Sequence, residues 1–233
     1  MESVSYENRR QQLEEYFDRT AVDAWAKLTS DAPVGRIRAT VRAGRDRMRD
    51  TLLGYLPEDL TGLRVLDAGC GTGALSVEAA ARGAEVVAID ISPTLVDLAR
   101  DRTDQSQLRG TIDFRVSDML EPSLGTFDWV VAMDSLIHYV ADDLAQMVGQ
   151  LASRARGGVV FTFAPRTPML ALMHMVGQAF PRGNRSPDIE PIAEQHLRTR
   201  LTGLPALSDF NLGRSDRIDS AFYTSQTMEL VRG

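Results

Sequence analysis

One cysteine, three histidines and two tryptophans occur in 233 residues, and Lys27 is the one lysine. Each scarcity excludes something. A lone thiol, Cys70, forms no intrachain disulfide, which suits a reducing compartment. His138, His174 and His196 lack the close spacing of metal ligands, so no protein-borne metal site is expected. With a single lysine, basic charge rests on arginine, a bias read first as codon usage. The net charge of -6 argues against a nucleic-acid partner, whose affinity needs basic surface. No run approaches the ~20 apolar residues that span a bilayer. The opening residues MESVSYENRR lack the apolar segment of a secretory signal. A cytoplasmic chain, at most peripheral to a membrane, is the expectation. Hydrophobic residues at 43% and charged residues at 25% are globular values, so the bulk of the chain should fold.

What is present falls into two parts. Residues 1–60 read as a helical arm: Leu13, Phe17, Ala21, Ala24 and Leu28 recur at helical spacing until Pro33 and Gly35. A second helix over Arg36–Gly54 carries Ile37, Val41, Met48 and Leu52 on one stripe and Arg38, Arg42, Arg45 and Arg49 on another. The arginine stripe reads as a solvated face or as a basic wall toward an acidic ligand. Residues 61–233 read as one α/β domain. Strands RVLDAG, EVVAIDI, IDFRVSD, FDWVVAM and GVVFTFA alternate with helices near 74–82, 93–104 and 142–155, the pattern of a doubly wound, mostly parallel sheet. Residues 165–205 read as an insertion, with helices over TPMLALMHMVGQAF and IAEQHLRTRL. Two long strands near 206–214 and 220–231 close the chain as an antiparallel hairpin.

The first strand runs into Asp67-Ala68-Gly69-Cys70-Gly71-Thr72-Gly73. Glycines here let backbone turn tightly and approach a ligand. Asp90 ends the next strand, where a carboxylate accepts both hydroxyls of a ribose. The pair specifies an adenosine-type cofactor. Gly69-x-Gly71-x-x-Ala74 also matches a dinucleotide fingerprint; Asp67 tilts the choice away from it, because an anion at the strand end repels a pyrophosphate but attracts the ammonium of a methionine moiety. Asp118, ending the third strand in SDM, suits an adenine amino group, with Met119 beside the ring. Ser92-Pro93 reads as a cap and first helical residue.

This stretch resembles the first motif of the seven-stranded, Rossmann-like S-adenosylmethionine (SAM)-dependent methyltransferases. The resemblance covers about Leu63–Ala164. It implies that Gly69, Gly71 and Gly73 line the cofactor, with product S-adenosylhomocysteine (SAH), that Asp90 holds the ribose and Asp118 the adenine, and that Ile91 packs on the adenine. The acceptor then lies near VVAMDSLIHY, where Met133, Asp134, Ser135, His138 and Tyr139 occur and no Asn/Asp-Pro-Pro-Tyr motif does. His138 is a candidate base, hydrogen-bond donor or axial metal ligand.

In combination, YFDRTAVDAWAKL, VRAGRDRMRDTLLGYL, MDSLIHY and the tail RIDSAFYTSQTMELVR resemble the magnesium-protoporphyrin IX O-methyltransferases of (bacterio)chlorophyll synthesis. The resemblance implies methylation of one propionate carboxylate, magnesium arriving only within the substrate, and a magnesium chelatase subunit as hand-over partner. It makes Tyr16 and His138 the catalytic candidates. Phe17, Arg166, Met173 and His174 are substrate-side candidates, the methionine-rich insertion offering an adaptable apolar wall. The alternative acceptor is another small molecule such as a quinone-type phenol, whose higher pKa would require a base.

Overall fold

In the computed structural model, residues 4–20, 35–166, 188–220 and 222–233 are described. Eight strands form one sheet: β1 (Arg64–Ala68), β2 (Glu85–Asp90), β3 (Thr111–Val116), β4 (Phe127–Ala132), β5 (Ala155–Phe163), β6 (Phe210–Leu212), β7 (Arg217–Ser220) and β8 (Tyr223–Arg232). Their order is β3-β2-β1-β4-β5-β8-β6, with β7 also on β8. β1 to β5 are parallel and β8 is antiparallel to its neighbours.

Both faces of this sheet are covered, so its strands are apolar on successive residues. Leu66, Val87, Val130 and Val159 enter the core on one face. Their chain neighbours Val65, Val86, Val131 and Val160 enter the core on the other. The pleat sends successive side chains to opposite sides, and these aliphatic pairs feed two layers at once.

The helices among the described residues are α1 (Val4–Glu15), α2 (Arg36–Leu53), α3 (Ala74–Ala81), α4 (Pro93–Arg102), α5 (Ala141–Ser153) and α6 (Glu194–Thr202). Each of α2 to α5 lies within a residue or two of its expected range. Ser92 caps α4 as expected: its Oγ accepts from the Leu95 N–H at 3.3 Å, with Pro93 at the first turn. α1 buries Tyr6 and Leu13, two turns apart on one face. It then widens into a π-turn over Tyr16–Thr20. The continuation of the expected first helix through residue 33, and the expected insertion helix at 167–180 with Met173 and His174, lie outside the described residues.

The closing hairpin is antiparallel as expected, but its first strand is broken, which raises the expected seven strands to eight. Leu212 pairs with Leu230 and Arg217 with Gln226, five residues of one strand against four of the other. That extra residue is a bulge. Side chains fix it in place. Asp216 N–H donates to the Thr227 hydroxyl at 2.7 Å instead of a carbonyl. Arg214 grips Glu229 at 2.5 Å and lies over the Tyr55 ring.

Candidate active site

The strand order reverses between β1 and β4, and open α/β sheets bind ligands outside the carboxyl ends at that point. A cavity of about 410 Å³ opens there. It falls within the range of small-molecule sites, about 300–1,000 Å³.

The glycine turn forms its floor. Gly69 adopts φ 91°, and a Cβ on it would collide with the Ser135 side chain. Glycine is therefore required by both dihedral and space. The turn is tied to β2: Gly69 and Cys70 N–H groups donate to the Ile89 carbonyl at 2.9 and 2.8 Å, and Gly71 N–H donates to Asp90 Oδ2 at 2.9 Å. Asp90 Oδ1 accepts from Ser92 N–H at 3.0 Å. Each carboxylate oxygen has two acceptor sites, so both keep capacity toward a hydroxyl in the cavity. Burial raises the Asp90 pKa. Cys70, within the turn, is likewise pushed up by burial and is an inert thiol rather than a thiolate.

Asp67 lines the cavity and is 1% exposed. Ser76 Oγ of α3 donates to it at 2.6 Å. Burial, with the Asp90 charge adding, lifts its pKa to about 7, against the smaller opposing effect of Ser76. A buried carboxyl pushed toward its neutral form in this way is matched by a cationic ligand, which restores its charge. The residues thus fit the ammonium of a methionine moiety.

Ile91 and Met119 line the same cavity at the ends of β2 and β3, with Met133 at the end of β4. Asp118 is engaged by the arm: Tyr6 OH donates to Oδ1 at 2.6 Å and Arg10 Nε lies 3.3 Å from Oδ2. Tyr6 also stacks on Tyr139, centroids 5.5 Å apart. The sequence pointed to Asp118 but not to these arm partners. Their i, i+4 spacing is visible in the chain, whereas their target is 112 residues away from Tyr6.

On the acceptor side His138 lines the cavity and is 5% exposed. Its Nδ1 lies 3.1 Å from the Asp188 carbonyl, and burial lowers its pKa. A neutral ring that donates Nδ1–H to this carbonyl keeps a lone pair on Nε2. Phe17 joins the wall, its ring 6.2 Å from that of His138. Tyr16 packs edge-on against Phe17 at 5.2 Å, one residue behind the lining. Arg166 is exposed and outside the cavity lining, its N–H spent on the Ile192 carbonyl at 2.9 Å.

The arginine stripe of α2 is not merely a solvated face. Arg42, Arg45 and Arg49 border the cavity. Arg45 Nη1 donates to Asp134 Oδ2 at 2.6 Å, and Arg49 pairs with Glu78 and with Asp46. The cavity therefore has acids under its floor and, along one wall, arginines of which Arg45 and Arg49 are already ion-paired.

Sheet order, glycine turn and paired acids together define a Rossmann-like, SAM-dependent methyltransferase. A methyltransferase-domain family matches residues 65–158, and the family described as magnesium-protoporphyrin IX methyltransferase C-terminus matches residues 132–232. The chain is 48% identical to a magnesium-protoporphyrin O-methyltransferase of Rhodobacter capsulatus over 96% of its length and 97% of the relative's. It is 36% identical to a chloroplastic magnesium protoporphyrin IX methyltransferase of Arabidopsis thaliana over 94% of its length and 70% of the relative's. The crystal structure of magnesium protoporphyrin IX methyltransferase from Synechocystis PCC 6803 with bound SAH superposes with a TM-score of 0.84 at 30% identity, covering 97% of this chain and all of that one. The protein belongs to the magnesium-protoporphyrin O-methyltransferase family.

Proposed function

We propose that the protein transfers the methyl group of SAM to a propionate carboxylate of magnesium-protoporphyrin IX, giving the monomethyl ester. The end-to-end relationship to the Rhodobacter capsulatus enzyme carries this reading, since it spans the acceptor side as well as the cofactor turn.

SAM, when bound, supplies an electrophilic methyl on a sulfonium that is its own leaving group. The work of the protein is then alignment and exclusion of water. Asp67 would take the ammonium, Asp90 the ribose hydroxyls and the Gly69–Gly73 turn the backbone-facing edge. Ile91, Met119 and Met133 would pack the apolar surface. Adenine contact by Asp118 rests on the family resemblance: it lies outside the cavity lining, and its oxygens already accept from Tyr6, Leu120 N–H and Arg10.

The acceptor carboxylate is ionised at neutral pH, so no general base is needed. His138 suits another task. Its Nδ1 is turned to the Asp188 carbonyl, the arrangement that orients a ligating imidazole. Its Nε2 then contacts the magnesium of the substrate and fixes the macrocycle, with Phe17 against the ring system and Tyr16 behind it near the reacting carboxylate. Substrate contact by Arg166, Met173 and His174 follows from what an apolar porphyrin with anionic arms needs, peripheral membrane contact from the partitioning of porphyrins into bilayers, and delivery by a chelatase subunit from the family resemblance alone. Among the described residues no helix is long and apolar enough to cross a membrane.

Incubation with methyl-labelled SAM and magnesium-protoporphyrin IX, followed by chromatographic separation of free acid from ester, tests the proposal. Label in the monomethyl ester is expected. Label passing to a quinone-type phenol and not to the porphyrin would overturn it.

A further inference from the structure

Asp134 is the one non-glycine residue at positive φ among the described residues, at 53°. It follows the end of β4, between Met133 of the cavity wall and Ser135. The left-handed region is uncommon for non-glycine residues, though aspartate is enriched there, and a residue persists in it when its surroundings impose it.

Here three other elements do so. From α2, Arg45 Nη1 donates to Oδ2 at 2.6 Å. From β8, Tyr223 OH donates at 3.0 and 3.1 Å to the two oxygens, and Ser225 Oγ donates to Oδ1 at 3.1 Å. From β5, Thr162 Oγ1 accepts the Asp134 N–H at 2.7 Å and donates to Oδ1 at 3.3 Å. The carboxylate is 6% exposed and its arginine 20%.

The approach of α2 is itself built in. Gly44 is buried, and a Cβ there would lie 2.6 Å from Cδ1 of Tyr223. A glycine inside a helix is unfavourable unless something needs the space. At this position it lets α2 close on β8, which brings the next residue, Arg45, to Asp134.

Downstream, the same loop reaches the chemistry. Ser135 Oγ donates to the Ala68 carbonyl at 2.8 Å, joining the loop to the strand end that carries Asp67. His138 lies three residues further on, in the cavity wall.

We propose that Asp134 is a positioning residue: clamped by Arg45, Tyr223, Ser225 and Thr162, it sets the 133–138 loop so that Met133 and His138 meet the acceptor at the cofactor. This rests on the methyltransferase reading above. The clamp ties the loop to α2 and the C-terminal hairpin, elements that carry none of the cofactor-binding candidates.

The experiment measures kcat and KM for magnesium-protoporphyrin IX, the Kd of SAH and Tm for Asp134→Ala, Asp134→Gly, Asp134→Asn and Tyr223→Phe. Monoester formation by the wild type is the control that stands or falls with the methyltransferase reading alone. Asp134→Ala and Asp134→Gly should lower kcat at least ~10-fold while the SAH Kd changes less than ~3-fold. Asp134→Asn tolerates the same dihedrals and accepts from Tyr223 and Ser225, so it should recover much of the loss. Tyr223→Phe removes one hydroxyl at a distance from the ligand and should lower kcat several-fold with a drop in Tm of a few degrees and the SAH Kd unchanged. Wild-type kcat in Asp134→Gly overturns the proposal, because freedom at positive φ would then suffice without the clamp. So does wild-type kcat in Tyr223→Phe, which decides the matter should the Asp134 variants not fold. Parallel losses of kcat and SAH affinity overturn it too, since they would mark a general structural role.

Discussion

Cofactor affinity should depend on pH through Asp67. The carboxyl is buried and its pKa sits at about 7, well above the ordinary carboxylate value. Below that pH the ligand-free site holds a proton that must leave before the carboxylate meets an ammonium. Affinity therefore rises with pH through this pKa, the opposite of the pattern for a carboxyl held below its ordinary value. For a pKa near 7 the ionised fraction is about 0.09 at pH 6 and about 0.76 at pH 7.5, an ~8-fold gain in affinity or ~1.2 kcal/mol. Burial lowers the His138 pKa, so that ring is already neutral over most of the window and adds little. The assay is calorimetric titration with SAH, which keeps the ammonium but cannot react, in two buffers of different ionisation enthalpy. Close to one proton should be released per SAH bound at pH 6, and about a quarter of one at pH 7.5. Asp67→Asn should flatten the profile and abolish the release. A wild-type Kd that is constant from pH 6 to 7.5, with no proton released, would refute the argument that this acid meets a cation. The ligand-free protein has the corresponding stability trend. Asp67 binds its proton more tightly folded than unfolded, so its contribution to stability declines as pH rises from about 4 to 7.

Three further outcomes are expected. Asp90→Ala should weaken SAH by roughly 1–3 kcal/mol, because the ribose acceptor and the anchor of the Gly71 N–H go together; an unchanged Kd would contradict the assignment. Gly69→Ala should abolish measurable cofactor binding, since its Cβ meets Ser135 at a dihedral alanine avoids, and retention of normal affinity would remove the turn from the site. His138→Ala should lower kcat far more than cofactor affinity, with a larger loss on magnesium-protoporphyrin than on the metal-free porphyrin. Equal losses on both would separate His138 from the metal.

Much of the architecture is local and was readable in the chain. The doubled aliphatic residues of β1, β2, β4 and β5 demand burial on both faces, which only a covered parallel sheet provides. Ser92-Pro93 specifies a helix start because capping chemistry lies within four residues. The glycine turn, Asp67 and Asp90 could be found because a strand end, a turn and an acid occur in fixed short order, whereas His138 was singled out by its place after the fourth strand and by the family resemblance. The bulge dividing the closing strand could not, since Thr227 and Glu229 impose it from the partner strand.

The sequence by itself thus determined the sheet, the cofactor turn and the kind of ligand they take, because periodicity, glycine and capping act between near neighbours. Tertiary structure alone decided the states of the site's charged groups. Arg45 finds Asp134 across 89 residues, Tyr6 finds Asp118 across 112, and Asp67 is pushed toward its neutral form only once it is buried beside Asp90. Such pairings are set by which elements the fold brings together, and a carboxylate's pKa by the solvent it loses there. Neither is written in the residues that flank it.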